Sequence, residues 1–159
     1  MKYLLLLSAL FAFVACGGLD EVEKTQEEIF NEQIEAFETW LAERDLTDSV
    51  NVTASGLHYV ILEDSVSRGA IAGDVVSVHY TGTFLDGRVF DSSEGRAPIK
   101  FTLGAGQVIS GWDEGIALLS IGEKAYFLIP SRLGYGTRSV GSIPANTPLL
   151  FEVELMGIE

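Results

Sequence analysis

The chain has 159 residues, with 10 Lys and Arg against 23 Asp and Glu, so its formal net charge is -13 at pH 7. With 47% hydrophobic and 21% charged residues, the composition is that of a globular protein that can bury its own core, which excludes disorder for the bulk of the chain. The acidic balance repels phosphate backbones, and the single cysteine, Cys16, excludes an intramolecular disulfide and a cysteine-based zinc site. We therefore expect no nucleic-acid partner, no metal and no cofactor.

Residues 1–15 are interpreted as a signal peptide rather than as part of the fold. Lys2 precedes an apolar run over residues 3–14 that is interrupted only by Ser8. As a helix, about twelve residues span about 18 Å, which is short of the roughly 30 Å hydrocarbon core of a bilayer. The run is therefore typical of the apolar region of a secretory signal.

The residues at the end of this run favour a lipoprotein signal. A cut after Ala15 by ordinary signal peptidase would place the bulky Phe13 where that enzyme prefers a small residue. The run Phe13-Val14-Ala15-Cys16 instead resembles the bacterial lipobox, with Phe13 in place of the usual Leu. That resemblance implies lipidation of Cys16 and a membrane anchor in the cell envelope, facing the periplasm or the cell surface. The alternative is an uncleaved anchor that ends in a structural cysteine.

Residues 16–55 are predicted to form an acidic linker and an amphipathic helix. Apolar side chains recur at steps of three and four residues and so share one helical stripe: Ile29, Phe30, Ile34, Phe37, Trp40 and Leu41. Thr25 and Glu28 have the spacing of a capping box at the start of the helix. The opposite face is acidic, with Glu28, Glu32, Glu35 and Glu38. Since one helix cannot bury the stripe alone, it is expected either to dock on the C-terminal domain or to form a homodimer through residues 26–44.

Residues 56–159 are predicted to form one α+β domain, because short strand-like segments alternate with glycine- and proline-rich turns around a single helix. Strands are expected over residues 57–63, 74–84, 89–90, 99–103, 123–130 and 148–158. An Asp86-Gly87 pair predicts the reversal between the second and third strands. A glycine-rich loop is expected over residues 133–146.

The helix of this domain is predicted over residues 108–119, from apolar residues spaced by three and four: Ile109, Trp112, Ile116 and Leu119. Asp113 and Glu114 are adjacent on it and point in different directions, so they are expected to stabilise its first turn rather than to act as an acid/base pair. His58 and His79 lie in predicted strands without nearby partner ligands. No nucleophile, phosphate-binding or zinc-protease motif is present in the sequence.

A series of motifs runs through the C-terminal domain. They are Val78-His79-Tyr80-Thr81-Gly82, Leu85-Asp86-Gly87, Phe90-Asp91-Ser92-Ser93, Gln107-Val108-Ile109-Ser110-Gly111-Trp112-Asp113-Glu114-Gly115, Gly134-Tyr135-Gly136, Ile143-Pro144 and Leu150-Phe151-Glu152-Val153-Glu154-Leu155. In this order they resemble the signature of the FKBP-type peptidyl-prolyl cis-trans isomerases. The resemblance implies a twisted antiparallel sheet wrapped around one short helix, an apolar pocket between them, and catalysis of rotation about X-Pro bonds.

The resemblance also implies the roles of individual residues. Trp112 would form the pocket floor, and the walls would be formed by Tyr80, Phe90, Val108, Ile109, Ile143 and Phe151. The Tyr135 hydroxyl would hydrogen-bond the bound ligand, the Asp91 carboxylate would lie at the pocket edge, and the backbone N–H of Ile109 would bind a peptide carbonyl. Asp91, Tyr135 and Ile109 are thus the expected catalytic groups, and the other residues bind substrate.

Three residues depart from the family pattern, namely Gln107, Ile99 and Ser142, and are expected to alter the affinity for macrolide-type inhibitors more than the reaction. The expected substrates are proline-containing, unfolded or partly folded proteins of the envelope. Two alternatives stay open at this point. One is a non-catalytic, chaperone-like module that binds unfolded polypeptides, and the other is a purely structural lipoprotein.

Overall fold

The structure, a computed structural model, describes residues 23–159. The expected signal peptide, residues 1–15, and the expected lipidation site Cys16 lie outside the described residues. In the described part of the chain, no helix has the length and apolar character needed to cross a bilayer. Nor does any group of His, Cys, Asp and Glu side chains between residues 23 and 159 have the arrangement of a metal site.

The predicted amphipathic helix is present as α1, Gln26–Ala42, and it begins with the expected capping box. The backbone N–H of Glu28 donates to the Thr25 hydroxyl over 3.2 Å, while the N–H of Thr25 donates to the Glu28 carboxylate over 2.8 Å. These two bonds satisfy backbone donors that the first turn would otherwise leave unpaired. The sequence therefore fixes where α1 starts.

The apolar stripe of α1 docks on the sheet of the same chain. It forms one buried cluster with strand residues: Phe37, Trp40, Leu41, Val60, Leu128 and Leu150. Trp40 also meets the Tyr126 ring edge-on, with centroids 5.3 Å apart. From the sequence, the apolar stripe is expected either to dock on the C-terminal domain or to form a homodimer. The packing of α1 on the strands confirms that it docks.

Among residues 23–159, seven antiparallel strands form one sheet, in the order β1-β2-β6-β7-β3-β4, with β5 also paired to β3. Their bounds are β1 Asn51–Val52, β2 His58–Glu63, β3 Val75–Thr83, β4 Val89–Ser92, β5 Ile99–Thr102, β6 Lys124–Ile129 and β7 Leu149–Ile158. The predicted α+β class with an antiparallel sheet and an N-terminal helix is confirmed, and the strand positions agree with the sequence patterns. Strand β1 was not predicted, and its pairing with β2 draws Asn51 and Val52 of the expected linker into the sheet. The division of the chain at residue 56 stays a prediction.

The second helix, α2, runs over Ser110–Ile116 and is shorter than the predicted 108–119. Beyond it the backbone tightens, because the N–H groups of Leu118 and Leu119 bond to carbonyls only three residues back. The helix lies very close to β6: a Cβ on Gly111 or on Gly115 would come within 2.6 Å of the Ile129 or Phe127 side chain, respectively. The two glycines therefore let α2 press against the sheet and enclose the core.

Asp113 lies in the first turn of α2, as expected, and both Asp113 and Glu114 also bind groups outside the helix. The Asp113 carboxylate accepts the backbone N–H groups of Gly104 and Gly106, at 2.9 and 3.0 Å. The Glu114 carboxylate accepts the Ser55 hydroxyl at 2.7 Å. Both residues therefore tie α2 to neighbouring loops. The spacing of apolar residues along the helix does not reveal this role, because the partners lie outside the helix, and Ser55 is far from Glu114 in sequence.

Candidate active site

An open cavity of about 390 Å³ lies over Trp112. Its lining is contributed by four strands, the segment that leads into α2, the first turn of α2 and the loop before β7: Tyr80, Phe90, Asp91, Ile99, Gln107, Val108, Ile109, Trp112, Tyr135, Val140, Gly141, Ser142, Ile143 and Phe151. Every residue to which the sequence resemblance assigned a site role belongs to this set. The fold therefore brings these distant motifs to one place, while their individual roles stay predictions.

The floor and one wall of the cavity are an aromatic cluster. The Trp112 ring meets the Tyr80 ring at 5.0 Å between centroids and 84° between planes, and the Phe151 ring at 5.3 Å and 83°. Phe90 in turn meets Phe151 edge-on at 5.4 Å. Edge-to-face pairs of this kind are favourable beyond the area that they bury, so the rings hold one another in place.

Gly82 makes this ring arrangement sterically feasible. In the register of β3 it lies opposite Asp91 of β4 on one side and Phe151 of β7 on the other. A Cβ there would come within 2.6 Å of the Phe90 ring and 2.7 Å of the Phe151 ring. The two rings occupy the space that a side chain at position 82 would need. Gly82 is therefore a determinant of the site to which the sequence motifs assign no role.

Trp112 is 4% exposed, and its indole N–H has no hydrogen-bond partner among the described residues. It lies in the first turn of α2, directly after Gly111, the glycine that packs against Ile129. An unpaired N–H in a buried position is unusual, because most buried donors are satisfied. The floor of the cavity is thus apolar apart from this one unused donor.

A hydrogen-bonded polar cluster lies at one edge of the cavity. The Tyr80 hydroxyl donates to the Asp91 carboxylate over 2.5 Å, and the Arg96 guanidinium donates to the same carboxylate over 2.9 Å. Arg96 also donates to the backbone carbonyl of Ser92. The structure therefore places Asp91 at the expected edge, with its oxygens already occupied.

These contacts set the protonation states at the edge. The Tyr80 hydroxyl, followed by weaker contributions that include Arg96, lowers the pKa of Asp91 below its ordinary value. Burial, and then the hydrogen bond to Asp91, raises the pKa of Tyr80 to about 12. At neutral pH the pair therefore consists of a carboxylate and a neutral phenol. Arg96 was missed by the sequence reasoning, and the only signal was its position five residues after Asp91.

Two groups at the cavity have unused hydrogen-bonding capacity. Among the described residues, no acceptor meets the backbone N–H of Ile109 and no partner meets the Tyr135 hydroxyl. Ile109 has extended backbone angles, φ -61° and ψ 148°, immediately before α2. Both groups are therefore available to a ligand.

The three departures from the family pattern, Gln107, Ile99 and Ser142, all line the cavity. The side-chain carbonyl of Gln107 accepts the Thr102 N–H over 2.8 Å, which ties the loop after β5 to the cavity wall. Sequence reasoning did not assign Val140 or Gly141 to the lining. They lie in the glycine-rich loop, where no periodic pattern separates lining from non-lining residues.

The two histidines lie outside the cavity lining. The Nδ1 atom of His58 is 3.0 Å from the Gly56 carbonyl, and that of His79 is 2.9 Å from the Ser93 hydroxyl. Each ring therefore has a local structural partner.

An apolar cleft with a few polar groups at its edge defines a binding site for an apolar segment of a polypeptide or for a small molecule. The family model for FKBP-type peptidyl-prolyl cis-trans isomerases matches residues 67–156. The chain belongs to this family, and the expected enzyme class is confirmed for its domain.

Two curated relatives illustrate the match. The chain is 56% identical over 104 residues to FK506-binding protein 2 of Debaryomyces hansenii, which is 65% of this chain and 77% of that protein. It is 46% identical over 123 residues to the FKBP-type peptidyl-prolyl cis-trans isomerase FkpA of Aeromonas hydrophila, which is 77% of this chain and 45% of that protein. The chain therefore spans less than half the length of the Aeromonas relative.

Solved structures agree with the fold. A peptidyl-prolyl cis-trans isomerase of Pseudomonas syringae pv. tomato is similar with a TM-score of 0.69 and 30% identity, covering 86% of this chain and 98% of that chain. FkpA of Escherichia coli is similar with a TM-score of 0.65 and 31% identity, covering 86% of this chain and 74% of that chain.

Proposed function

We propose that the cavity over Trp112 catalyses rotation about X-Pro bonds in unfolded or partly folded proteins of the cell envelope. The observation that carries the proposal is an open cavity of about 390 Å³ whose floor and walls are aromatic and aliphatic side chains. A prolyl ring is apolar and small enough for such a space. No nucleophile is required, because no covalent bond is broken in the reaction.

The chemistry follows from amide resonance. Rotation about an X-Pro bond is slow because resonance must be lost, with a barrier of about 18 to 20 kcal/mol. Resonance places charge on oxygen and nitrogen, so water stabilises the planar ground state more than the twisted transition state. Transfer of the bond into an apolar cavity removes that advantage. Reaching a millisecond timescale requires a rate increase of about 10⁴ to 10⁵, or roughly 5 to 7 kcal/mol.

The polar groups then hold the substrate while the bond rotates. We assign the backbone N–H of Ile109 to a peptide carbonyl and the Tyr135 hydroxyl to a second ligand acceptor, since neither has a partner among the described residues. Asp91 keeps the Tyr80 ring oriented through the 2.5 Å hydrogen bond between them. Substrate contacts are assigned to Tyr80, Phe90, Val108, Trp112, Ile143 and Phe151.

A peptide assay coupled to chymotrypsin, which cleaves only the trans form, measures the activity. Tyr135→Phe and Asp91→Val are expected to lower turnover and to leave the fold intact. Tyr59→Phe is the matched control, because Tyr59 lies in β2 and does not line the cavity. Binding of proline peptides without any acceleration would instead identify a non-catalytic module for unfolded polypeptides. Full activity in both site variants would remove these residues from the site.

We also propose that the pocket binds macrolide-type inhibitors, with an affinity altered by Gln107, Ile99 and Ser142. All three residues line the cavity, which supports a direct effect on a bound ligand. Titration with FK506, followed by the fluorescence of Trp112 in a Trp40→Phe background, measures the affinity. Replacing Gln107 by Glu is expected to change that affinity more than it changes turnover.

The proposed location is the cell envelope, with a lipid anchor on Cys16. The support is the apolar run over residues 3–14 followed by the lipobox-like Phe13-Val14-Ala15-Cys16. Globomycin treatment or Cys16→Ser is expected to release the protein from membranes. Unchanged membrane partitioning would refute the anchor.

A homodimer through residues 26–44 is the remaining proposal about partners. Phe37 and Leu41 are already buried within the chain, so a dimer would have to use the half-buried residues of α1, such as Ile29. Light scattering measures the molar mass of the mature chain and of a chain that begins at Ser55, and so shows whether each is a monomer or a dimer. A monomeric mass for the mature chain would refute the dimer.

A further inference from the structure

Helix α1 carries one buried polar residue, Gln33, on the face that docks against the sheet. Gln33 is 5% exposed, although its helical neighbours on this face are apolar. Its side-chain N–H₂ donates to the Ser131 hydroxyl over 3.0 Å and to the Asn146 backbone carbonyl over 2.9 Å. Its side-chain carbonyl accepts the Ser131 backbone N–H over 2.8 Å. A buried amide with this many partners specifies one arrangement of the groups that it joins.

Those partners are the two ends of the segment that closes the cavity, which we call the pocket loop, residues 131–146. The pocket loop carries Tyr135 and Ile143, which line the cavity. Within the loop, the Gly136 N–H donates to the Ser131 carbonyl over 2.8 Å and the Asn146 N–H donates to the Gly136 carbonyl over 2.7 Å. Gln33 therefore completes a ring of hydrogen bonds in which the loop ends are held at a fixed separation.

A second contact ties the same end of the pocket loop to α1. The Arg132 guanidinium lies over the Phe30 ring, 3.5 Å from its centroid, and donates to the Ser55 carbonyl over 2.6 Å. A cation over an aromatic face is attractive and orients both groups. Gln33 and Phe30 both belong to α1, which precedes the family match at residues 67–156.

We propose that Gln33 is a positioning residue for the proposed isomerase site, and that α1 acts through it to hold the pocket loop against the cavity. The proposal rests on the proposed function. If the loop opens part of the time, only the closed fraction binds substrate, and the apparent affinity falls by that fraction. Once substrate is bound the loop is closed, so turnover at saturation changes little. Loss of Gln33 should therefore raise KM rather than lower kcat.

The test uses the full chain with Gln33→Met, which keeps the length of the side chain and removes its hydrogen bonds. We expect KM for a proline peptide to rise about fivefold with kcat nearly unchanged. We also expect hydrogen exchange at the Gly136 and Asn146 amides to be about tenfold faster, while β6 amides keep their protection. Ser131→Ala, which removes one partner only, should act in the same direction and add little in the Gln33→Met background. This variant decides the question if Gln33→Met does not fold.

Leu41→Val is the matched control, because Leu41 lies on the same helix about 12 Å away and packs on β2 and β6 rather than on the pocket loop. It should lower the melting temperature and leave KM and loop exchange unchanged. A wild-type KM and wild-type loop exchange in Gln33→Met would overturn the proposal, as would an equal rise of KM in Leu41→Val. If the wild-type chain does not isomerise proline bonds, the proposed function fails, while the exchange measurement still decides whether Gln33 holds the loop.

Discussion

Replacement of Gly82 by alanine tests whether the cavity walls depend on an absent side chain. The added Cβ would lie 2.6 Å from the Phe90 ring and 2.7 Å from the Phe151 ring. Since carbon atoms pack best at about 3.5 to 4.0 Å, each ring must move by about 1 Å. Overpacking of this kind costs about 1 to 3 kcal/mol of unfolding free energy. Because both rings line the cavity, a displacement of about 1 Å should also lower kcat/KM by about tenfold to a hundredfold.

Urea unfolding and the coupled peptide assay measure the two effects. Gly157→Ala is the matched control, because Gly157 also lies in the sheet, on β7, and its added Cβ would have no neighbour within 4 Å. That substitution should stabilise the chain by about 0.4 to 1 kcal/mol and leave kcat/KM unchanged. If Gly82→Ala keeps the wild-type unfolding free energy and kcat/KM, the cavity walls do not depend on the absent side chain. The same conclusion follows if Gly82→Ala and Gly157→Ala lose equal amounts of unfolding free energy and of kcat/KM.

Three further predictions concern the helix and the polar edge. Phe37→Ala should lower the unfolding free energy by about 3 to 5 kcal/mol, because Phe37 is fully buried between α1 and the sheet. Glu38→Ala is the control and should change the unfolding free energy little, because Glu38 is exposed. Equal losses of unfolding free energy in the two variants would contradict the docking of α1. Burial and the hydrogen bond to Asp91 raise the pKa of Tyr80 to about 12. The contribution of Tyr80 to the unfolding free energy should therefore be fully present below the pKa of the unfolded chain, about 10, and should be lost as the pH rises towards 12. Alkaline titration of the unfolding free energy should show a less steep fall in Tyr80→Phe. The Tyr80 hydroxyl lowers the pKa of Asp91. The contribution of Asp91 to the unfolding free energy should therefore be present above about pH 4 and be lost as the pH falls through the pKa of the folded chain. Acid titration of the unfolding free energy should show this loss in the wild type and not in Asp91→Asn.

Much of the fold could be predicted because its signals are local. The capping pair Thr25 and Glu28 marks the start of α1, and alternation and turn residues mark the strands. The end of α2 could not be predicted, because the apolar spacing continues to Leu119 while the backbone already turns more tightly after Ile116. Local periodicity reports which side chains face the core, and it does not report which hydrogen-bond pattern the backbone adopts.

The site could be located from the order of its motifs, and its supporting contacts could not. Gln33 interrupts an apolar stripe, and in sequence it looks like a solvent-facing residue, since its partners Ser131 and Asn146 lie about a hundred positions away. Arg96 was missed for a different reason: its partner Asp91 is only five residues away, but that spacing alone does not distinguish Arg96 from a surface arginine. The contacts of Gln33 depend on the tertiary fold, about which composition and spacing carry no information.

The central claim is that the apolar cavity over Trp112 accelerates rotation of a proline bond by taking it out of water. Exchange spectroscopy by NMR measures the cis-trans rate of an X-Pro peptide directly, without a coupling protease. With the wild-type chain the exchange should be fast, and in Val108→Trp, which fills the cavity with an apolar side chain, the acceleration should be lost while the chain stays folded. A wild-type chain that leaves the exchange rate unchanged, or a filled cavity that accelerates it equally well, would contradict the account.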